Sequence, residues 1–361
     1  MKRLRTILAS AVIVIAGTVS MGTSALADGP YDRKPLNVFI NFGVGGNTDI
    51  TARSLLSHME RHLPGEPRVV FNNKPGAGGI VGINYVGSAV PNDGYNIGVF
   101  SVTLMAEIVG DEALTVSHGD FDFIGGIPED FIFHIRTSDN LKEPTDIFTL
   151  DEPIKSAGHG PASAKDLMLR TTLDLLGVEY ENVTGYKSAG KIRAALLKGD
   201  VDMTADSMTG YISRVVPNLV DTGQSIPLYS LGVPSEDGTM QRAPGSLSDV
   251  PTFDEFYEAQ FGKKPSGPEY DVLRVIGQIR ATALRAVVIP KGAPAETVAA
   301  LREAFAATLE DPLFQEDFKK IAGFVPVGLS GADAQAKFNA LMETDAETIE
   351  FLKSYSEQAR R

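Results

Sequence analysis

Three pieces succeed one another several times along this chain: a short apolar strand, a glycine-rich turn and a helical pattern of apolar residues. The apolar residues 36–42 run into the turn 43–49 (GVGGNTD), and a helical pattern follows at once. A second strand over 68–71 leads through the glycine loop 73–79 (NKPGAGG) into another helix, and a third strand is predicted over 95–101. Strands joined through helices lie parallel in one sheet, so this order predicts an α/β fold.

The middle of the chain repeats the order and predicts a second α/β unit. The predicted pieces are a strand ending at Ser156, a loop over 157–161, a helix over 163–176 closed by Gly177, a strand over 179–183, a helix over 191–198 closed by Gly199, and a strand over 201–205. A glycine directly after a helical pattern is the usual C-terminal cap, because it adopts the left-handed conformation without strain.

The last third of the chain is predicted to return to the first unit. We expect a strand over 285–289, helices over 295–309 and 332–356, and a loop over 260–271. A chain of 361 residues is long for one core and suits two lobes. We therefore expect lobe 1 to comprise residues 28–126 and 227–361, and lobe 2 to comprise residues 127–226.

The first 27 residues have the three parts of an export signal. Lys2, Arg3 and Arg5 form a basic start, an uncharged apolar stretch covers 7–19, and a small-residue A-x-A pattern ends at Ala27. The competing interpretation is a transmembrane anchor, which needs about 20 apolar residues. Gly, Thr and Ser interrupt the last third of this stretch, which favours a signal peptide cleaved after Ala27 and export to the periplasm.

Composition removes several classes of function. The chain contains no cysteine, which excludes disulfides, thiolate metal sites and a lipid-modified N-terminal cysteine. The net charge is -13, and it becomes -16 once the three basic residues of the leader are removed. An acidic surface repels phosphate backbones and anionic lipid, so nucleic acid and membrane surfaces are disfavoured as partners.

The two early glycine loops are candidates for an anion site. A helix N-terminus presents unpaired N–H groups and partial positive charge, and glycines allow a ligand to approach the backbone closely. The alternative is that Gly43, Gly45, Gly76 and Gly78 only make tight turns. Asp49 has two interpretations as well: it fixes the first loop or meets a ligand, or it is an ordinary acidic residue in a first helical turn.

Enzyme signatures are mostly missing. Thr48 stands where a dinucleotide fingerprint needs its third glycine, and the sequence contains neither a Walker-type phosphate loop nor a G-x-S-x-G elbow. His58 and His62 lack the H-E-x-x-H order of a zinc protease, which favours a solvated helix face. His159 begins a predicted helix and is kept as a candidate ligand contact. We predict no catalytic residue, no metal and no cofactor.

Five segments carry a resemblance to a known family. They are 41–53 (NFGVGGNTDITAR), 69–79 (VVFNNKPGAGG), 186–187 with 196–202 (YK and LLKGDVD), 249–252 (DVPT) and 289–294 (IPKGAP). In this order they resemble the signatures of the periplasmic receptors of tripartite tricarboxylate transporters, the TctC/Bug family.

The resemblance implies a type II-like, two-lobed periplasmic binding protein, with a mixed sheet flanked by helices in each lobe and the ligand in the cleft between them. It implies a monomer that passes a small carboxylate to membrane transporter subunits; a signalling subunit and a secreted hydrolase are the alternatives. By position it nominates as ligand-binding residues Phe42, Gly45, Gly46, Asn47, Asp49, Gly76, Ala77, Gly78, Gly79, Ser101, Ser156, His159, Ser163, Tyr186 and Asp206.

The chain departs from the family pattern in ways that concern ligand choice. Gly43 replaces the usual proline, Pro161 lies near the usual threonine, and the segment 260–280 is longer than usual. Lys165 stands near a usual histidine; the interpretations are a contact to a second carboxylate or, preferred here, a solvated helical lysine. Dicarboxylates, tricarboxylates, aromatic acids and amino acids all remain possible ligands.

Overall fold

A computed structural model describes Tyr31 and residues 34–101, 103–235, 239–243, 246–340 and 345–358. The leader predicted over 1–27 lies outside these residues. Within the described ranges, no helix combines the length and the apolar character needed to cross a membrane.

The larger sheet has six strands and forms the centre of lobe 1. Its order is β13-β4-β12-β3-β1-β2. Strands β2, β1 and β3 are parallel, whereas β12 and β13 run antiparallel to their neighbours, so the sheet is mixed. The strands are β1 Leu36–Ile40, β2 Val69–Asn73, β3 Asn96–Ser101, β4 Phe121–Ile127, β12 Arg285–Pro290 and β13 Leu329–Ser330.

The smaller sheet has five strands and forms the centre of lobe 2, in the order β7-β6-β8-β5-β9. Strands β7, β6 and β8 are parallel, and β5 pairs antiparallel with both β8 and β9. The strands are β5 Phe131–Arg136, β6 Ile154–Ala157, β7 Tyr180–Val183, β8 Met203–Ser207 and β9 Ser225–Ser230, and the short pair β10 Val233–Pro234 and β11 Met240–Gln241 lies outside both sheets.

Helices flank the sheets, and short 3₁₀ turns occur at Glu60–His62, Ala77–Gly79, His118–Asp120 and Pro144–Thr149. The α-helices are α1 Asn47–Met59, α2 Ile80–Ala89, α3 Leu104–Ile108, α4 Ala164–Leu176, α5 Ala189–Lys198, α6 Met208–Gly210, α7 Phe253–Phe261, α8 Pro268–Ala283, α9 Ala295–Glu310, α10 Pro312–Ala322, α11 Gly331–Ala340 and α12 Ala346–Gln358. Helix α6 continues as π-helical turns over Tyr211–Val220.

The α/β class and the two mixed sheets predicted from the sequence are confirmed. The caps are confirmed as well: Gly177 and Gly199 end α4 and α5 in the left-handed conformation, at φ of 66° and 78°. Two expectations are only partly right. The loop expected over 260–271 is present over 262–267, but α7 extends to Phe261 and Pro268 at the first position of α8 starts the next helix. The helix expected over 332–356 is present as α11 and α12, with Asp345 outside both.

Three apolar cores hold the lobes, and one of them includes Ile192 and Leu196 on α5 of lobe 2. In lobe 1, helices α1, α9 and α10 pack on one face of the larger sheet and bury Leu56, Leu301 and Phe305 completely. A second core runs through both lobes, where α8 packs on α4 and on β4. Helix α8 therefore connects the lobes on the side where the chain crosses from β4 to β5.

Leucine-to-alanine substitutions test where the stability of lobe 1 resides. Leu301 on α9 is fully buried, whereas Leu313 on α10 is 60 % exposed. We expect Leu301→Ala to lower the free energy of unfolding by about 3 kcal/mol, because it removes buried methyl groups and leaves a cavity. Leu313→Ala should stay within about 0.5 kcal/mol of the parent in urea unfolding. Equal losses in both variants would contradict this assignment of the core.

Candidate functional site

A cavity of about 140 Å³ lies between the lobes, where the strands of both sheets end. Such crevices at the carboxyl ends of strands are the usual ligand sites of open α/β sheets. The sequence-predicted residues that line it are Phe42, Gly46, Asn47, Ala77, Gly78, Ser101, His159 and Ser163. The predicted residues outside its lining are Gly45, Asp49, Gly76, Gly79, Ser156, Tyr186 and Asp206.

Asp49 fixes the first glycine loop. Its buried carboxylate accepts hydrogen bonds from the Gly45 N–H at 3.0 Å, from Arg53 Nε at 2.9 Å and from Asn73 Nδ2 at 2.9 Å. Helix α1 starts directly after Gly46, and no side chain caps it. Asp49 therefore holds the loop in place, and Asn47 and Thr48, the first residues of α1, line the cavity.

The second glycine loop needs glycine for two physical reasons. Gly78 and Gly79 have φ of +64° and +104°, which residues with a side chain rarely adopt. A Cβ at Gly79 would lie 2.6 Å from Asn41 Nδ2, and a Cβ at Gly78 would lie 3.4 Å from the Cβ of Ser163 in the opposite lobe. Helix α2 starts after this loop, again with no side-chain cap.

The corresponding helix starts of lobe 2 are already satisfied by their own side chains. Ser163 caps α4 by accepting from Asp166 N, and Ser188 caps α5 by accepting from Lys191 N. Asp166 then accepts from the backbone N–H groups of His159 at 2.6 Å and of Gly160 at 3.1 Å. The place where lobe 2 would hold an anion with backbone groups is thus occupied by its own carboxylate.

His159 links the two lobes as a neutral ring. It packs on Phe42 with the ring centroids 4.8 Å apart, and its Nδ1 lies 2.8 Å from the carbonyl oxygen of Tyr186. Burial lowers the pKa of His159 to about 3, and the positive charges of Lys165 and Arg285 act in the same direction. Since a carbonyl only accepts, Nδ1 carries the proton. Tyr186 therefore contributes through its backbone.

Lys165 lines the cavity and is only 5 % exposed, so the expectation of a solvated helical lysine is wrong. Its Nζ is buried and has no hydrogen-bond partner among the residues the structure describes. Burial, together with the charges of Arg193 and Arg285, lowers its pKa to about 8 against the opposing effect of Asp206 and Asp166. The charged groups around it include Arg193, Asp206 and Arg285, which are distant in the sequence, so the local helical pattern could not show this burial.

Arg285 is a second buried cation at the cavity, and sequence reasoning missed it. Its Nη1 donates to Ser101 Oγ at 3.3 Å and its Nη2 to Ser207 Oγ at 3.1 Å, whereas its Nε has no partner in the described part of the chain. Burial lowers its pKa. Arg280, also at the cavity, differs because it forms an ion pair with Asp130 at 2.8 Å.

Asn47, Arg193 and Asp206 form an interlobe clasp behind the cavity. Asn47 Nδ2 donates to Asp206 Oδ1 at 2.8 Å, Arg193 Nη1 donates to the same oxygen at 2.7 Å, and Arg193 Nη2 reaches the Gly45 carbonyl at 3.2 Å. Burial alone would raise the pKa of Asp206, but Arg193, Lys165 and His134 hold it well below its usual range. Asp206 is thus a permanent anion that joins both lobes.

In the ranges the structure covers, no three or more His, Asp or Glu side chains lie together as a metal-binding group.

Comparisons with known proteins place the fold. No protein-family model matches the chain. A curated relative from Cupriavidus necator, described as a UPF0065 protein in the gbd 5' region, is 26 % identical over 324 residues, which cover 86 % of this chain and 85 % of the relative.

Solved structures are similar over nearly the whole chain. The periplasmic binding protein BugD has a TM-score of 0.66 at 23 % identity and covers 91 % of this chain and 99 % of its own. MatC of Rhodopseudomonas palustris with bound malate has a TM-score of 0.64 at 18 % identity, covering 90 % and 99 %. An R. palustris protein solved with adipate has a TM-score of 0.67 at 20 % identity, covering 90 % and 98 %. The chain therefore has the same fold as BugD and as a TctC solute-binding protein from Polaromonas, which has a TM-score of 0.54 at 21 % identity, and the resemblance predicted from the sequence is confirmed in the fold.

The pKa of Lys165 predicts a pH-dependent stability. The folded pKa of about 8 lies below the ordinary 10.5, so the unfolded chain binds more protons between these values and stability rises with pH there. At pH 7 the buried charge costs roughly 3 kcal/mol. We expect Lys165→Met to be more stable than the parent at pH 7 by about this amount, and the gap to shrink by about 2 kcal/mol at pH 9.5 in urea unfolding.

Lys155→Met is the matched control, because Lys155 is an exposed lysine in the same lobe. Its difference from the parent should be small at both pH values. A Lys165→Met variant that is less stable than the parent, or a gap that stays constant with pH, would contradict the buried ammonium.

Proposed function

We propose that this protein captures a small organic carboxylate in the cleft between its lobes, outside the cytoplasm, and delivers it to a membrane transporter. The observation that carries the proposal is the cavity itself, which lies between the two lobes. On the lobe 1 side it is lined by the N-terminus of α1, which has no side-chain cap, and by the glycine loop before α2. The export signal predicted over 1–27 supports the location.

A carboxylate is the ligand group that fits the lobe 1 side. The first-turn N–H groups of α1 have no intrahelical acceptors, and the partial positive charge of a helix start favours an anion. Asn47 and Thr48 from α1, and Ala77 and Gly78 from the second loop, converge on one wall of the cavity. Malate and adipate, bound by the similar Rhodopseudomonas palustris proteins, are both small carboxylates.

Capture and release require the lobes to separate, because the clasp and the packing of Phe42 on His159 close the cleft. Ligand binding therefore goes with hinge closure, in which the two lobes trap the ligand between them. A receptor of this kind works reversibly, with a binding free energy of about -8 kcal/mol for a micromolar dissociation constant. The closed cleft also brings surfaces of both lobes together, as recognition by transporter subunits would need.

Hydrolysis is a second candidate function because a hydroxyl, an imidazole and a carboxylate lie in contact, one after the other, beside the cavity. Thr103 lines the cavity, its Oγ1 lies 3.4 Å from His118 Nε2, and His118 Nδ1 contacts the Glu107 carboxylate. A hydroxyl, an imidazole and a carboxylate in this order resemble a nucleophile with its base. The hydroxyl belongs to a β-branched threonine at a long distance from the ring, so we favour binding and expect no turnover of p-nitrophenyl esters above that of a Thr103→Val variant.

The function is tested by identifying the ligand. Mass spectrometry of small molecules retained on the purified protein, followed by thermal-shift screening of carboxylates, amides and sugars, should show stabilisation by carboxylates. Stabilisation by uncharged compounds alone would overturn the proposal.

Gly78→Val tests whether the second glycine loop holds the carboxylate. A valine at φ +64° is strained, and its side chain would meet Ser163 across the cleft. We expect at least a roughly tenfold loss of affinity for the acid found in the screen, measured by calorimetry, which corresponds to about 1.4 kcal/mol. Gly223→Val is the control, because Gly223 has φ of +71° and nothing near its Cβ position.

Asp49→Ala tests the first glycine loop, and we expect it to weaken binding of the same acid because the loop loses the carboxylate that holds it. Unchanged affinity in both Asp49→Ala and Gly78→Val would contradict the proposed cradle.

A further inference from the structure

A buried ammonium without a partner is the least expected feature of the cleft. Lys165 is 5 % exposed, and none of the described residues accepts a hydrogen bond from its Nζ. Burying an unpaired charge is costly, and folded proteins normally pair such a group or replace it. Because Lys165 lines the cavity, its missing partner is most simply a group that enters the cavity.

Arg285 adds a second positive charge at the same cavity. Arg285 is 3 % exposed and donates to the hydroxyls of Ser101 and Ser207, which are neutral. The charge of the buried Glu129 favours the protonated form of Arg285, but no ion pair involves Lys165 or Arg285 within the described ranges, whereas Arg280 is paired with Asp130. The cleft therefore holds two buried cations without a direct ion-pair partner.

The neighbouring acids are committed to other partners. Asp206 is bound by Arg193 and Asn47 in the clasp and contacts His134. Asp166 accepts from the backbone of the 159–160 loop and from Ser163. His159 is neutral at ordinary pH, because burial lowers its pKa to about 3. Each acid that faces Lys165 thus already has its own donors.

We propose that Lys165 and Arg285 form a second anion subsite in the cleft, which makes the receptor selective for ligands with two anionic groups, namely dicarboxylates. This inference rests on the proposed function, since it assigns the far end of a ligand whose first carboxylate lies on the lobe 1 loops. Helix starts bind the first anion and cationic side chains bind the second. Between them the walls are apolar, with Ile80, Phe131, Ile279 and Leu284, which suits a hydrocarbon spacer.

Matched pairs of acids test the subsite. Succinate with butyrate, glutarate with pentanoate, adipate with hexanoate, and terephthalate with benzoate differ within each pair by one carboxylate. We expect calorimetry at pH 7 to show a preference for the diacid of roughly a hundredfold in the best-binding pair, because the monoacid leaves the buried cations unpaired.

Variants of the two cations separate the subsite from a structural role. Lys165→Met should weaken binding of the best diacid roughly thirtyfold, while the matching monoacid stays within about threefold of the parent, since only the diacid uses the charge. Arg285→Met should have the same selective effect, with urea unfolding to show that the variant is folded. Lys155→Met, which removes an exposed positive charge from the same lobe, should leave both affinities unchanged.

The outcomes distinguish the two proposals. If the parent binds monoacids as tightly as diacids, or if Lys165→Met weakens both acids of a pair equally, the subsite is wrong while carboxylate capture stands. If no carboxylate of the panel or of the wider screen binds, the proposed function fails and the subsite fails with it.

Discussion

The Asp206 carboxylate is the point at which the two lobes are joined across the cleft. It is completely buried and accepts from Asn47 of lobe 1 and from Arg193 and His134 of lobe 2. A buried carboxylate is stable only when its lone pairs are satisfied, so opening the cleft exposes it to water or leaves it with fewer donors. The clasp thereby favours the closed arrangement, in which the cavity lies between the two lobes.

The buried cations of the proposed subsite act in the opposite direction. Closure removes Lys165 and Arg285 from water, and the charge of Arg285 lowers the pKa of Lys165. The empty closed form therefore carries an electrostatic cost that a dianion would remove. A ligand shifts a conformational equilibrium only through its different affinity for the two states, and here that difference would come from charges that are desolvated in the closed state. The clasp and the cations together make closure depend on the ligand.

The lobes divide recognition between backbone and side chains. In lobe 1, Asp49 lies behind the glycine loop and leaves the start of α1 directed along the cavity. In lobe 2, Asp166 occupies the equivalent backbone donors itself. In the proposed function, lobe 1 would offer a general carboxylate site, and lobe 2 would select with side chains such as Lys165. This division follows from the position of one acidic residue in each loop.

Structural features that depend only on residues close together in the sequence could be predicted from it. The strand–turn–helix order, the Gly177 and Gly199 caps and the position of the first loop after β1 follow from local pattern and are present in the structure. Helix α8 was missed because its start at Pro268 lies in a stretch rich in glycine and proline. The burial of Lys165 was missed because the charged groups around it, which include Arg193, Asp206 and Arg285, come from distant parts of the chain.

Arg285 shows the same limit from another direction. Its position was assigned to a strand from local pattern, and the strand is present as β12. Its role could not be read from that pattern, because the side chain acts only through Ser101 and Ser207, which come from different sheets. A residue of similar size without charge would fill this space at lower cost, as it would at Lys165, since apolar replacements of buried charges are often stabilising. The costs of burying the charges of Lys165 and Arg285 at one cavity have a common physical explanation if an anion fills the cavity. Packing alone explains neither buried charge.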